Sequence, residues 1–342
     1  MKAVKISGIR KIGVYDVKET NIVKADEVKV AIKSVGVCGS DIHYYNEGNI
    51  GSQVVEYPWG VGHEASGEVL EVGAEVKDLK IGDKVAIEPT VYCGVCSECL
   101  NDRRHTCLNQ KFLGCPGQME GCMSETFVIP QICCVKVPDH LTPQLAAFAE
   151  PLSIGLYAYK LSAMHQKDFK VAILGAGPIG LTVLASCLHG GQKHITVIEP
   201  LEYRKHFAKE CGAASAFTPD EEVEIKKQAE LGYDVVYECC GKQEALDQAL
   251  RILKPGGKLM FVGIPETQSL SFNMDMMRRK EICVQNVRRQ NNSFEEAIDM
   301  IAGNPDYYQN MISHDYKVDQ AGLAFEKVAA YSDNVIKAMV NF

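Results

Sequence analysis

The sequence predicts an α/β fold of two units, a barrel-like antiparallel β unit followed by a doubly wound parallel sheet. Three observations carry this prediction. Up to about Pro143, short β-branched runs alternate with Gly, Asp and Asn turns, whereas from Phe169 strand and helix patterns alternate. An apolar run is broken by a glycine turn at Gly175. The 342-residue length itself predicts two domains, at roughly 150 residues each.

In the first part, Glu27–Val35 (EVKVAIKSV), Gly67–Val72 and Lys84–Ile87 have the composition of antiparallel strands. Residues 143–165 switch to helical spacing and form a bridge. Strands are then expected at Phe169–Leu174, His194–Ile198, Tyr233–Glu238, Lys258–Val262 and Ile282–Val287. Helices fill the gaps, such as Lys242–Leu253, which buries Ala245, Leu246, Ala249, Leu250 and Leu253 and stops at Pro255-Gly256-Gly257. Strands separated by helices imply a parallel sheet covered on both faces. Val171–Leu188 carries no charge over a length that suggests a membrane helix, but Gly175, Gly177, Pro178 and Gly180 would break one. A buried strand, a tight turn and a helix fit that segment better.

Lys plus Arg is 36 and Asp plus Glu is 44, a net charge of −8, with 46% hydrophobic residues. This argues against disorder and against general affinity for nucleic acid or anionic membrane. The opening MKAVKISGIRKIGVYD has no apolar signal region, so a soluble cytoplasmic protein is expected. Cysteine is abundant, at 14 residues, and thiols in a reducing compartment point to metal.

Gly175-Ala-Gly177-Pro178-Ile-Gly180 follows an apolar strand and opens a helix, with Pro178 near the first helical turn. Glycines there let the backbone approach a pyrophosphate seated on the helix N-terminus. Glu199 ends the next strand, where a carboxylate accepts from ribose hydroxyls and repels the 2′-phosphate of NADP. Arg204 pulls the other way, since it can pair with a phosphate, but NAD is the expected cofactor.

Cys93-x2-Cys96-x2-Cys99-x7-Cys107 places four thiols in one polar loop, enough to close a tetrahedral structural zinc site. An iron–sulfur cluster and free thiols are the alternatives. Cys38 in GVCGSD follows a strand, His63-Glu64 lies in GHEASG, and Glu150 precedes Pro151 at a helical segment. Spacing alone does not make these converge.

With these motifs together, the chain resembles the zinc-dependent medium-chain alcohol dehydrogenase family over essentially its whole length. The residues are Gly36–Asp41, Gly62–Gly67, Cys93–Cys107 and Gly175–Gly180. Within the family it is most similar to the sorbitol (L-iditol) and xylitol dehydrogenase branch. That narrower match rests on Cys38–Tyr45, Asn46–Gly51, Ala86–Pro89 and Glu150–Gly155. The resemblance implies a GroES-like β-barrel catalytic domain, residues 1–153 and 288–342, and a Rossmann NAD-binding domain, residues 154–287. It implies a small-molecule polyol or secondary alcohol as substrate, and a dimer or tetramer.

The resemblance also implies that Cys38, His63 and Glu64 ligate a catalytic zinc, with Glu150 a direct ligand or the holder of its water. Zinc lowers the pKa of bound water to about 7 in favourable sites, and an alcohol oxygen responds similarly. The hydride passes to the nicotinamide. Ser40 and His43 resemble the family's proton relay, although His43 also reads as a surface histidine beside Tyr44. Ile179, Glu199, Arg204, Val262-Gly263-Ile264 and Val287-Arg288-Arg289 match cofactor contacts. Tyr44 and Arg289 match polyol contacts, an Arg fork suiting neighbouring hydroxyls, while a solvated basic surface is the other reading of Arg288 and Arg289.

Two departures bear on the substrate. Gln290 stands where the animal sorbitol enzymes carry an aromatic residue, and Phe112–Gly121 (FLGCPGQMEG) differs from the usual proline-rich stretch. Another secondary alcohol, such as L-threonine, butanediol or a sugar-acid alcohol, and a non-catalytic zinc- and dinucleotide-binding protein are the competing functions. Cys115, Cys122, Cys133, Cys134, Cys187, Cys211, Cys239, Cys240 and Cys283 belong to no motif and read as small buried hydrophobes or reduced surface thiols.

Overall fold

The computed structural model describes residues 1–22, 24–164 and 168–342. The chain divides into one unit of Met1–Glu150 with Phe294–Phe342, and a second of Pro151–Ser293.

The first unit is organised around strand Glu27–Gly36. Its alternating Val28, Val30 and Ile32 are buried, so one face supplies the core of an antiparallel sheet. Strand Glu64–Val72 pairs along one edge; Thr126–Pro130 and then Lys337–Asn341 pair along the other. Gly36 is thereby flanked by Glu64 and by Met339, residues distant in sequence. Lys84–Ile87 and Cys134–Lys136 extend the sheet beyond Glu64–Val72, and Ile312–Lys317 extends it, in parallel, beyond Lys337–Asn341.

Helix Gly39–Glu47 leaves this sheet directly after Cys38, and it carries Ser40, His43 and Tyr44. It is held by helix Ala321–Ala329. Phe325, fully buried, meets the Tyr45 ring edge-on at 5.6 Å, and the Tyr45 hydroxyl donates to Glu326. Arg10 donates to the same carboxylate at 2.6 Å and lies over the Tyr45 ring.

The second unit is a six-stranded parallel sheet ordered Ser215–Phe217, His194–Ile198, Lys170–Leu174, Tyr233–Glu238, Leu253–Phe261, Cys283–Asn286. The order reverses between Lys170–Leu174 and Tyr233–Glu238, the topological switch point of a doubly wound sheet. Helix Gln243–Ile252 buries Leu246, Ala249 and Leu250 against the sheet, close to the expected pattern. Leu253 differs: it begins a strand rather than ending the helix. It pairs with Tyr233, and Lys258 with Val235, so the intervening Pro255-Gly256-Gly257 is absorbed as an irregularity in the ladder.

The bridge is helical over Pro143–Ala147 and Ala149–Ser162; residue 165 of the expected bridge lies outside the described residues. The uncharged Val171–Leu188 segment is a strand, a turn and helix Pro178–His189, and no helix among the described residues is long and apolar enough to cross a membrane.

Phe325→Ala should lower stability by about 3–5 kcal/mol, because the buried ring leaves a cavity beneath helix Gly39–Glu47. Urea unfolding measures it; a loss within experimental error contradicts the anchoring role.

Candidate metal centres and dinucleotide turn

Among the described residues, two groups of side chains capable of holding a metal ion form in the first unit. In one, the ligand atoms of Cys38, His63 and Glu64 all lie within 4.8 Å of one another. The sheet explains the meeting: Cys38 follows the end of Glu27–Gly36, and His63-Glu64 opens the adjacent strand. Glu150 stands outside that trio but is buried, and it interacts electrostatically with all three.

Burial dominates the chemistry of this cluster. It pushes the Cys38 thiol up to about 12, with Glu64 adding to the effect. It also lifts the Glu150 carboxyl well above its usual range, opposed by His63 and reinforced by Glu64, Cys38 and Glu88. Acidic groups so desolvated call for a cation, and a thiol, an imidazole and carboxylates form a donor set suited to zinc. These residues fit the metal.

Two neighbours complete the cluster, and the motifs did not single them out for a role. Lys337, from the C-terminal strand, is fully buried and forms an ion pair with Glu64 while donating to the Val37 carbonyl at 3.2 Å. Burial works against its ammonium, but Glu64 and then Cys38 outweigh it and hold its pKa above the ordinary value. A Cβ on Gly36 would overlap the Glu64 carboxylate and stand 3.0 Å from Lys337 Cε, so this pair forms only across a glycine. Asp41, also fully buried, accepts the amides of Cys38 at 3.2 Å and Gly62 at 3.3 Å. Its Oδ1 lies 3.7 Å from His63 Nδ1, and Phe112 packs on the imidazole, with centroids 5.3 Å apart. The ring is thus oriented from two sides.

On helix Gly39–Glu47, the Ser40 hydroxyl is hydrogen-bonded to Cys38, His43 is half-buried with Nδ1 3.8 Å from Glu47, and the Tyr44 hydroxyl donates to Gln53 at 3.1 Å.

In the second group, the four sulfurs of Cys93, Cys96, Cys99 and Cys107 lie within 4.8 Å of one another. Measured separations are 3.5 Å for Cys93–Cys107 and 3.8 Å for Cys96–Cys107. A tetrahedron with metal–sulfur bonds of about 2.3 Å has edges of about 3.8 Å, so the loop fits zinc. The amides of Val95 and Cys96 favour the Cys93 thiolate and hold its pKa down to about 6, and the amides of Cys99 and Leu108 lower that of Cys96. Burial acts oppositely on Cys99, raising it to about 12.

The dinucleotide turn belongs to the second unit. Gly175 has φ +99°, and a Cβ there would lie 2.9 Å from Cys240 Sγ; one on Gly180 would overlap the Gly175 carbonyl. A Cβ on Gly177, the N-cap of helix Pro178–His189, would meet no described atom closer than the Arg204 guanidinium at 3.5 Å, an ordinary contact that leaves room for a ligand's approach. Glu199 is buried, and it accepts the Ala176 amide at 2.6 Å and the Leu201 amide at 3.0 Å. Ile179 lies in the first turn of the helix, and Val262, Gly263 and Ile264 follow strand Leu253–Phe261. Val287, Arg288 and Arg289 follow strand Cys283–Asn286 and also fall in the second unit; Arg289 has φ +53°.

The alcohol dehydrogenase GroES-like domain matches residues 24–139, and the zinc-binding dehydrogenase domain matches residues 178–303. The chain belongs to the zinc-binding alcohol dehydrogenase family. It is 32% identical to sorbitol dehydrogenase of Bacillus subtilis, covering 99% of this chain and 97% of that one. It is also 32% identical to D-xylulose reductase of Scheffersomyces stipitis, covering 96% and 94%. The solved structure of L-idonate 5-dehydrogenase from Escherichia coli superposes with a TM-score of 0.91 at 26% identity, covering 100% of this chain and 98% of that one.

Metal analysis checks both groups. The wild type should carry about two zinc ions per chain. Cys96→Ser should remove about one and lower thermal stability, because the loop has little core of its own. His63→Ala should remove the other with the fold retained; one zinc surviving His63→Ala unchanged from the wild type would leave only the cysteine site.

Proposed function

We propose that this protein oxidises a secondary alcohol of a polyol, of the sorbitol, L-iditol or xylitol type, to a ketose and passes the hydride to NAD. The observation that carries the proposal is the convergence of Cys38, His63 and Glu64 at a buried acidic cluster. Its setting is a dehydrogenase whose relatives include a sorbitol dehydrogenase and a D-xylulose reductase. Cys38, His63 and Glu64 would hold the catalytic zinc, with Glu150 as a fourth ligand or the holder of its water. Cys93, Cys96, Cys99 and Cys107 would hold the structural one.

When bound, zinc supplies Lewis acidity toward an oxygen ligand, and the nicotinamide supplies the hydride acceptor. The protein's own groups do the rest. Asp41 orients His63, and Lys337 holds the Glu64 carboxylate in place. Ser40 Oγ, beside Cys38, would accept the substrate hydroxyl proton while giving up its own toward the His43 imidazole on the same helix, which would pass a proton to solvent. Tyr44 and Arg289 would contact the polyol. Gly175, Gly177, Pro178, Ile179 and Gly180 would receive the pyrophosphate, and Glu199 and Arg204 the adenosine ribose. Val262, Gly263, Ile264, Val287, Arg288 and Arg289 would line the remaining cofactor contacts. The abundance of cysteines, all free among the described residues, supports a reducing, cytoplasmic setting. A homodimer or homotetramer completes the proposal.

NAD reduction measured with sorbitol, xylitol, L-iditol, galactitol and L-threonine tests the substrate class. Turnover is expected on one or more polyols, and activity confined to L-threonine overturns the assignment. Glu199→Ala should erode the preference for NAD over NADP in steady-state kinetics; an unchanged ratio removes Glu199 from cofactor choice.

A further inference from the structure

Glu238 ends strand Tyr233–Glu238, on one side of the point where the sheet order reverses. Ligands of such sheets bind beyond the carboxyl ends of the strands at that point. No motif marks this residue, and neither zinc site uses it.

Its side chain is fully buried. Oε1 accepts the amides of Cys240 at 2.7 Å and Gly241 at 2.8 Å. Oε2 has no hydrogen-bond partner among the described residues and lies 2.8 Å from where a Cβ on Gly263 would stand. The main-chain carbonyl of Glu238 accepts from Val262 at 2.8 Å and Gly263 at 2.9 Å. A Cβ on Gly263 would also overlap the Gly241 amide, and one on Gly241 would overlap the Ile264 carbonyl. On the other flank, Cys240 Sγ donates to the Leu174 carbonyl at 3.2 Å and packs on Gly175. One carboxylate therefore sits where three strand-end turns interlock: the glycine turn, the Cys240–Gly241 turn and the Val262–Ile264 turn. Burial raises the pKa of this carboxyl despite the amides of Cys240, Gly241 and Lys242. An apolar side chain would fill the space without that desolvation.

We infer that Glu238 is a positioning residue for the dinucleotide: its carboxylate clamps the Cys240–Gly241 turn and seats Val262–Ile264 against it, and this shape sets cofactor affinity. The inference rests on the second unit being the dinucleotide-binding one, as proposed above.

NADH binding followed by fluorescence, with zinc content and kcat at saturating NAD, tests it on the full chain. Glu238→Ala and Glu238→Asp should each weaken NADH binding about tenfold or more, since two amides lose a charged acceptor. Zinc per chain should not change, and kcat should stay within about threefold while KM for NAD rises. Glu238→Gln keeps an acceptor at the same reach and should bind NADH within about threefold of the wild type. If Glu238→Ala fails to fold, Glu238→Asp against Glu238→Gln carries the comparison. The inference is overturned if Glu238→Asp binds as the wild type does, if Glu238→Gln loses as much as Glu238→Asp, or if kcat falls with KM unchanged. A wild-type protein that does not bind NADH overturns the reading of the second unit itself, a result distinct from any of these.

Discussion

Desolvation of acidic groups is the constraint on which the first unit depends. Cys38, Asp41, Glu64 and Glu150 lie together, largely away from water, and burial holds the Cys38 thiol and the Asp41 and Glu150 carboxyls above their ordinary pKa values. The protein answers with fixed partners: main-chain amides on Asp41 and the Lys337 ammonium on Glu64. A buried ion pair of this kind adds little net stability, yet removing one partner costs about 3–5 kcal/mol, because the other charge is stranded. Its value here is placement. Gly36 has no side chain because the pair crosses the strand at that position, so a residue inside a recognisable motif is explained by a lysine some three hundred residues later.

The second unit solves a related problem with backbone rather than charge. Its ligand-facing edge is made of turns packed so closely that glycine alone fits at Gly180, Gly241 and Gly263. Two buried glutamates each accept two main-chain amides at this edge, Glu199 from Ala176 of the glycine turn and from Leu201, Glu238 from Cys240 and Gly241. Rigidity of this sort pre-organises a surface before any ligand arrives, which lowers the entropy lost on binding.

Much of this is legible in the sequence where the determinants are local. The central parallel strands are apolar runs of ordinary length between helical patterns, and four cysteines in one loop need only that loop to meet. Ser215–Phe217, three residues long, is too short to show a period, and it escapes notice. The Lys258–Phe261 part of strand Leu253–Phe261 falls on the expected Lys258–Val262, but its start is hidden by Pro255-Gly256-Gly257, which reads as a stop although the ladder accommodates it. The site is legible only in part for the same reason. Cys38 and His63-Glu64 sit in glycine-flanked motifs, but their convergence is a matter of sheet pairing. Lys337 looks like any lysine at a strand start, and Glu238 like an acidic residue at a strand end, until the fold buries both.

The first unit is discontinuous, and this imposes an order on its assembly during synthesis. Residues 1–150 emerge first, and the whole of Pro151–Ser293 follows before Lys337–Asn341 can take its place beside Glu27–Gly36. In that interval Cys38, His63 and Glu64 have no lysine among them. The ion pair between Glu64 and Lys337 is therefore among the last contacts of the sheet that the chain can complete.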